Sequence, residues 1–530
     1  MGEAMIVEPS VIREDVVRLS KELYNGVEVV AGSFDEIREV ERLKGVIESY
    51  VEGRVRVVDV PLLSWRLKGL TLDPNPEVLA VAPYVESASV KAPWFRVEGD
   101  PTKHVSWRGF PEGRVAIARE PANPDDIKVA ALHASEAGAL ALIVESPSAP
   151  RKIVTNGYWG YNYRVGAPTP IPVLVVEEGY SSKLSSHTLV SVEVEATTIE
   201  STGYTLQLDL PGSSEEIVIV GAHHDRWYGG FLDDIMGIAQ ATVAARILHG
   251  LGFTTRLAVF TAEEHGAPGY ASWYWAWGSR FYVDQLHMSG LVENIRLFVN
   301  FDMAAIEPLK VSGSPQYSLL AEGVDNRCCE CPECDSFSLA VRGVPTICIH
   351  SLWSRDVRAL YHTPRDTPDV ANLDVAVKAV NLAIESAVKG PSWSHLEHLL
   401  TQILGGGPLE ARRALYTINT ISRRAGWDRL YRSLARIALK PVHYGSYRLD
   451  EAELEALWFP EVQVYLRLLK DVDAGRAPHE AWIAGDERIL YVIKGAGGRM
   501  VSRVELARQF KYNMDTLWDQ IEEIQRELLR

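Results

Sequence analysis

Four short apolar runs, "EIVIVGA", "RLAVF", "LFVNF" and "PTICI", lie between residues 216 and 349. Continuous apolar runs of this length predict strands buried on both faces, as in a parallel sheet. The helical stretch "DDIMGIAQATVAARILHGLG" separates the first two. It brings Ile235, Ile238, Ala239, Thr242, Ala245 and Ile247 near one face and stops at a glycine after a polar residue. Strand and helix alternate in this way over residues 196–390, which predicts an α/β core with a mixed, mostly parallel sheet flanked by helices. The flanking regions have other patterns. Residues 11–68 read as amphipathic helices followed by a strand, "RVRVVDVPLLSW". Residues 69–195 hold short apolar runs ("VLAVAPY", "RVAIARE", "LALIVES", "PVLVVEE") around one helix, "DDIKVAALHASEAGA", separated by proline and glycine. That pattern predicts a small β-rich α/β domain inserted into the main one. Residues 391–530 read as a mostly helical C-terminal domain, with breaks at "GGGP" and "KGAGG".

Length and composition agree with this division. A chain of 530 residues is too long for one ordinary core. Its 47% hydrophobic and 23% charged residues are those of a globular protein. The formal charge of −16 argues against a nucleic-acid partner, which needs a basic footprint. No apolar run reaches the roughly 18 residues of a membrane span. The first residues, "MGEAMIVEPSVIREDVVRLS", lack the apolar segment of a signal peptide. The expectation is a cytoplasmic protein with no membrane partner.

The candidate chemistry collects at the strand ends. The first run leads to His223, His224 and Asp225, then to Asp233 and Asp234. The second leads to Glu263 and Glu264, and the third to Asp302. A short helical stretch after the fourth leads to "YHTPRDTPD", with His362 and Asp366. In an open α/β sheet, ligands sit beyond the carboxyl ends of the strands, so these residues would meet at one rim. Any one of them alone ordinarily caps a helix or faces solvent. Their joint occurrence is what points to a site. Imidazoles and carboxylates without thiolates suit Zn²⁺. Acids crowded at one rim repel each other unless a cation answers them.

These motifs resemble the co-catalytic zinc exopeptidases, the family of bacterial aminopeptidases, glutamate carboxypeptidases and catalytically silent transferrin receptors. That pattern has a His-x-Asp, an Asp ten residues past the His, a Glu-Glu pair, a lone Asp and a Tyr-His-Thr. The chain offers His223-His224-Asp225, Asp233, Glu263-Glu264, Asp302 and Tyr361-His362-Thr363 in that order. Residues 69–195 resemble a protease-associated domain. The resemblance implies two Zn²⁺ ions, with Co²⁺ or Mn²⁺ as alternatives. Asp233 would bridge them, His223 and Asp302 would complete one, and Glu264 and His362 the other. Glu263 would be the general base acting on a metal-bridging hydroxide or its parent water, Tyr361 would steady the oxyanion, and Asp225 would hold the ligating imidazole. His224 and Asp234 keep the same spacing. His223 and Asp233 are preferred because Asp225 then completes His-x-Asp and Gly237 falls where the family has a glycine.

The function implied is a di-zinc metallo-exopeptidase acting on peptides, with an aminopeptidase ahead of a carboxypeptidase or dipeptidase. A silent binding protein on the same scaffold and a single-zinc cyclase are the other readings. The resemblance also implies a homodimer through the C-terminal helical domain. Four cysteines in "CCECPEC" at residues 328–334, with Cys348, suggest one or two disulfides, or else a zinc knuckle. Residues 411–440 carry eight Arg or Lys and one acid, Asp428. They suggest a solvated face, a dimer contact, or an arginine that reaches the active site.

Overall fold

The computed structural model describes residues 8–156, 168–270, 275–321, 323–326, 330–352, 354–446, 453–475, 480–485, 488–494 and 499–530. Two helices, α1 (Pro9–Leu23) and α2 (Phe34–Tyr50), precede a nine-stranded sheet. Eight of its strands form one path: β1 (Arg56–Asp73), β2 (Val190–Leu210), β3 (Ile217–His223), β4 (Thr254–Phe260), β5 (Ile295–Asp302), β6 (Lys310–Gly313), β7 (Asp325–Asn326) and β8 (Thr346–His350). Their spatial order is β1-β2-β4-β3-β5-β8-β6-β7, and the strand Ala88–Ala92 also pairs with β2. The four apolar runs of the sequence are β3, β4, β5 and β8, which lie side by side and pair in parallel. Antiparallel pairs flank them, β2 with β4 on one side and β6 with β8 on the other.

Both faces of the parallel strands are covered, which is why these runs show no polar alternation. On one face the helix α3 (Met236–Gly250) packs against α1 and the helix α4 (Leu373–Lys389). On the other, Tyr282, Val283 and Leu286 of the helix Trp277–Met288 meet Ile219, Phe260 and Phe298.

A separate five-stranded sheet is formed between β1 and β2 in sequence. Its order is Leu79–Val81, Val173–Glu177, Ala141–Ser146, Val115–Arg119 and Trp94–Arg96, and the helix Ile127–Glu136 packs on it. The long ribbon of β1 and β2 joins this unit to the main sheet. The C-terminal region is mostly helical, as expected: among the described residues, five helices follow residue 391. It also holds an antiparallel sheet that the sequence does not announce, of Leu439–Ser446, Glu453–Trp458, Glu480–Gly485 and Arg488–Lys494. These strands are short runs between long amphipathic helices, and the helical period dominates the local pattern. Among the described residues, no helix is long and apolar enough to cross a membrane.

Candidate metal centre

The parallel strands deliver their polar ends to one rim. β3 ends on His223, and the chain bends back through Asp225. His223 Nδ1 donates to the Asp225 carbonyl at 2.9 Å, so in the neutral ring Nε2 carries the lone pair. That Nε2 lies 3.2 Å from Asp233 Oδ1 but makes no hydrogen bond to it. The other oxygen of Asp233 lies 3.4 Å from His362 Nε2, which is itself 2.9 Å from Glu264 Oε2. Asp233 thus stands between two imidazoles, with one oxygen toward each.

Two sets of donor atoms lie within 4.8 Å of one another: His223 with Glu263 and Asp302, and Asp233 with Glu264 and His362. All six residues are buried. His223 Nε2 and Glu264 Oε1 are buried and have no hydrogen-bond partner. Buried polar atoms are normally paired, and unpaired donor atoms that converge in this way suit a cation. The donors are nitrogen and oxygen with no thiolate, which fits Zn²⁺, Co²⁺ or Mn²⁺.

The electrostatics agree. Burial pushes the Glu264 carboxyl up to about 7, against the pull of His362. Burial likewise pushes Asp302 up to about 6, with His223 opposing and Asp233 reinforcing. Glu263 is driven well above the carboxylate range by burial, with Asp302, Asp335 and Glu264 adding to it against His223. His362 rises to about 10 because Glu264 and Asp233 outweigh its burial. Too many acids share one dry volume, and added positive charge would relieve them.

Other groups hold the donors in place. The Asp225 carboxylate accepts from the backbone N–H groups of Glu263 (3.1 Å) and Glu264 (3.2 Å). It therefore pins the glutamate pair, whereas its carbonyl orients His223. Asp366 accepts from the N–H groups of Leu232 (2.8 Å) and Asp233 (3.2 Å). Asp234 accepts from His223 N at 3.3 Å and Met303 N at 3.4 Å, tying the ends of β3 and β5 together. A Cβ on Gly237 would meet Asp234 Oδ1 at 2.2 Å, so glycine is required there. Ala262, Met303 and His362 have positive φ (54°, 50° and 55°) beside or within the donor set. Such strained backbone in non-glycine residues clusters where surroundings over-determine a site.

The remaining candidates fall as follows. His224 turns away from the rim; its Nε2 donates to the Tyr204 carbonyl at 2.8 Å, and burial lowers it to about 4. Tyr361 is half-buried and stacks on His362 with centroids 3.6 Å apart. His265 stacks on Tyr84, and His350 Nε2 meets Ser312 Oγ at 3.1 Å. Cys331, Cys334 and Cys348 are buried and free, not disulfide-bonded, and they join neither donor set; Cys328 and Cys329 lie outside the described residues. Burial raises the Cys331 thiol to about 12, which makes it unreactive. The basic stretch does not send Arg432 or Arg436 to the rim. Arg432 donates to the carbonyls of Val292 and Ile295 and Arg436 to that of Arg342, below the start of β5. Asp234 and Asp366 stand among the candidate acids of the sequence without a role assigned to them, whereas Asp335, which helps to raise Glu263, carries no sequence signal of its own.

The sequence profile of Peptidase family M28 matches residues 206–387. No curated protein matches the chain. Among solved structures, BSAP, a zinc aminopeptidase from Bacillus subtilis, has 17% identity and a TM-score of 0.56 over 74% of this chain and 97% of that one. A Peptidase M28 precursor from Shewanella amazonensis SB2B has 19% identity and a TM-score of 0.54, over 72% and 97%. The aminopeptidase from Aneurinibacillus sp. strain AM-1 has 18% identity and a TM-score of 0.50, over 72% and 94%. At these identities the structural likeness speaks for a shared fold alone. The segment that matches Peptidase family M28, residues 206–387, contains every donor described above.

Proposed function

We propose that the chain is a di-zinc exopeptidase that removes residues from the amino terminus of peptides. The observation that carries this reading is Asp233, set between His223 and His362 with one carboxylate oxygen toward each. His223, Asp302 and Asp233 would hold one ion, and Asp233, Glu264 and His362 the other. When bound, the ions would polarise the scissile carbonyl and acidify water. Glu263 would take the proton of the attacking water and pass it to the leaving amine. Tyr361, stacked on His362, would face the developing oxyanion. Asp225 would hold the Glu263-Glu264 backbone and, through its carbonyl, the His223 ring.

The charge balance supports an aminopeptidase over a carboxypeptidase. A free carboxylate needs an uncommitted cation, and the cations nearest the described rim are engaged. Arg151 pairs with Glu120, and Lys152 reaches Glu28 at 2.7 Å. The rim is rich in carboxylates, which suit a free amine. Two solved structures of like fold are named as aminopeptidases, in agreement with this reading. In the same proposal residues 1–68 and 196–390 form the peptidase domain, and 69–195 a protease-associated-like insertion. The C-terminal region would be the homodimer contact, a role supported by exposed Tyr416, Val504 and Tyr512 on its helices.

The test is elemental analysis after zinc is added and the excess removed. Two zinc ions per chain, with release of the first residue from aminoacyl substrates, is the expected result. One ion or none overturns the two-ion site.

A further inference from the structure

The two imidazoles of the donor set are oriented by different parts of the chain. His223 is oriented from within its own loop, by the Asp225 carbonyl. His362 is oriented from outside the main sheet. Its Nδ1 donates to the Lys152 carbonyl at 2.8 Å, and the Lys152 N–H donates back to the His362 carbonyl at 3.1 Å. Lys152 follows the strand Ala141–Ser146 of the five-stranded unit. This pair of bonds fixes the tautomer of His362 and leaves Nε2 free to face Asp233 and Glu264. It also holds His362 at a φ of 55°, a conformation a non-glycine residue keeps only under constraint.

The residue beside Lys152 anchors the arrangement. Arg151 is among the largest fully buried side chains of the protein. Its Nη1 donates to the Arg358 carbonyl at 2.9 Å and the Tyr361 carbonyl at 2.8 Å, and its Nε pairs with the buried Glu120. Glu120 directly follows the strand Val115–Arg119 of the same five-stranded unit. A buried guanidinium with a charged partner and two carbonyl acceptors is a stiff link. It runs from the core of that unit to the turn that carries Tyr361 and His362.

We infer that Arg151 is a positioning residue for His362, so that the five-stranded unit sets the affinity of the metal position that His362 shares with Asp233 and Glu264. The position built on His223 does not depend on it. The inference rests on the two-ion reading above, and its test separates the two.

The test compares wild type, Arg151→Met and Arg151→Lys as full-length, metal-free chains. Two measurements are made. The first is Co²⁺ titration followed by the ligand-field spectrum, which resolves successive binding steps. Arg151→Met is expected to weaken one step by roughly 10–100-fold, the range for losing an outer-shell partner of a ligand, and to leave the other unchanged. Arg151→Lys keeps the charge opposite Glu120 but not the forked donors, and it should weaken the same step by a smaller factor. The second is the ¹⁵N spectrum of histidine-labelled, metal-free protein. The Nδ1–H signal of His362, assigned by its loss in His362→Gln, should be present in wild type and lost or exchange-broadened in Arg151→Met. Unchanged affinities with an unchanged Nδ1–H signal overturn the inference. So does equal weakening of both steps, which would make Arg151 a general staple. If wild type takes up fewer than two ions, the two-ion reading fails, and the Nδ1–H signal still decides the role of Arg151. Should Arg151→Met not fold, Arg151→Lys carries both measurements with the same criteria.

Discussion

The two ends of the parallel sheet treat their charged groups in opposite ways. At the amino end, each described cation meets an acceptor. Arg432 is taken up by the Val292 and Ile295 carbonyls, Arg436 by Glu293 and the Arg342 carbonyl, and Arg296 by Glu216 and the Ala387 carbonyl. At the carboxyl end, Asp233, Glu263, Glu264 and Asp302 crowd around two histidines. Ion pairs at the amino end dock the helix Trp427–Ala438 beneath the sheet, which is a structural use of charge. Acids left in excess at the other end cost stability unless something positive is added. The proposed function sits at the end where the protein's own charges do not balance.

The strongest way to break that contrast is to remove one acid without changing its shape. Glu263→Gln should lower kcat by roughly 10²–10⁴-fold, the span for losing a general base, while zinc content stays at the wild-type value. Steady-state kinetics and elemental analysis on one preparation check both parts. Glu263 also lies within ligand distance of His223 and Asp302. Loss of zinc together with turnover would therefore reassign it from base to ligand.

A smaller effect is expected one shell out. Asp366 gives both carboxylate oxygens to the N–H groups of Leu232 and Asp233, the backbone from which the central carboxylate projects. Asp366→Asn replaces one acceptor with a donor that faces an N–H. Metal affinity should fall by roughly 10–100-fold, measured by competition with a chelator, with both ions affected because Asp233 would serve both in the proposed site. If the affinity is unchanged, Asp366 acts on the loop without reaching Asp233.

Much of this was legible in the sequence because the main signals are local. A buried parallel strand is a continuous apolar run, and a donor placed just past its end is read from the same few residues. The same reading names His223, Asp233, Glu263, Glu264, Asp302 and His362 as candidates, and the structure brings their side chains together. What escaped is what depends on contacts across the chain. Nothing near Arg151 says that its guanidinium reaches a turn some two hundred residues away. Asp366 is visible beside the last motif, but nothing around it says that its carboxylate reaches the N–H groups of Leu232 and Asp233. The four-stranded sheet after residue 439 escaped for another reason: its strands are short, and the helices around them carry the stronger period. The arginines of residues 411–440 were visible as a charge run, but a run does not say which end of the sheet it serves.

The smallest effect on activity comes from the amino end, where the comparison predicts a change in stability alone. Glu330 is buried beside the start of β8, and its carboxyl accepts from Ser314 Oγ at 3.1 Å and Thr346 Oγ1 at 2.9 Å. Ser314 Oγ in turn meets the Tyr431 hydroxyl at 2.7 Å, which brings in the docked helix. Burial pushes Glu330 up to about 8, against those two hydrogen bonds. The folded protein therefore keeps a proton on Glu330 at pH values where the unfolded chain has lost it. An acid of this kind stabilises most below its unfolded pKa of roughly 4.5, and the contribution is lost as the pH rises toward the folded value. Glu330→Gln is neutral at every pH and removes the dependence. The stability of the variant relative to wild type should rise by roughly 2 kcal/mol between pH 5 and pH 7, in urea unfolding of the chelated proteins. Zinc-loaded kcat should be unchanged, because the network stands at the end of the sheet away from the donors. A pH-independent difference would mean that Glu330 is ionised in the fold, and a fall in kcat would mean that the two ends are coupled through β8.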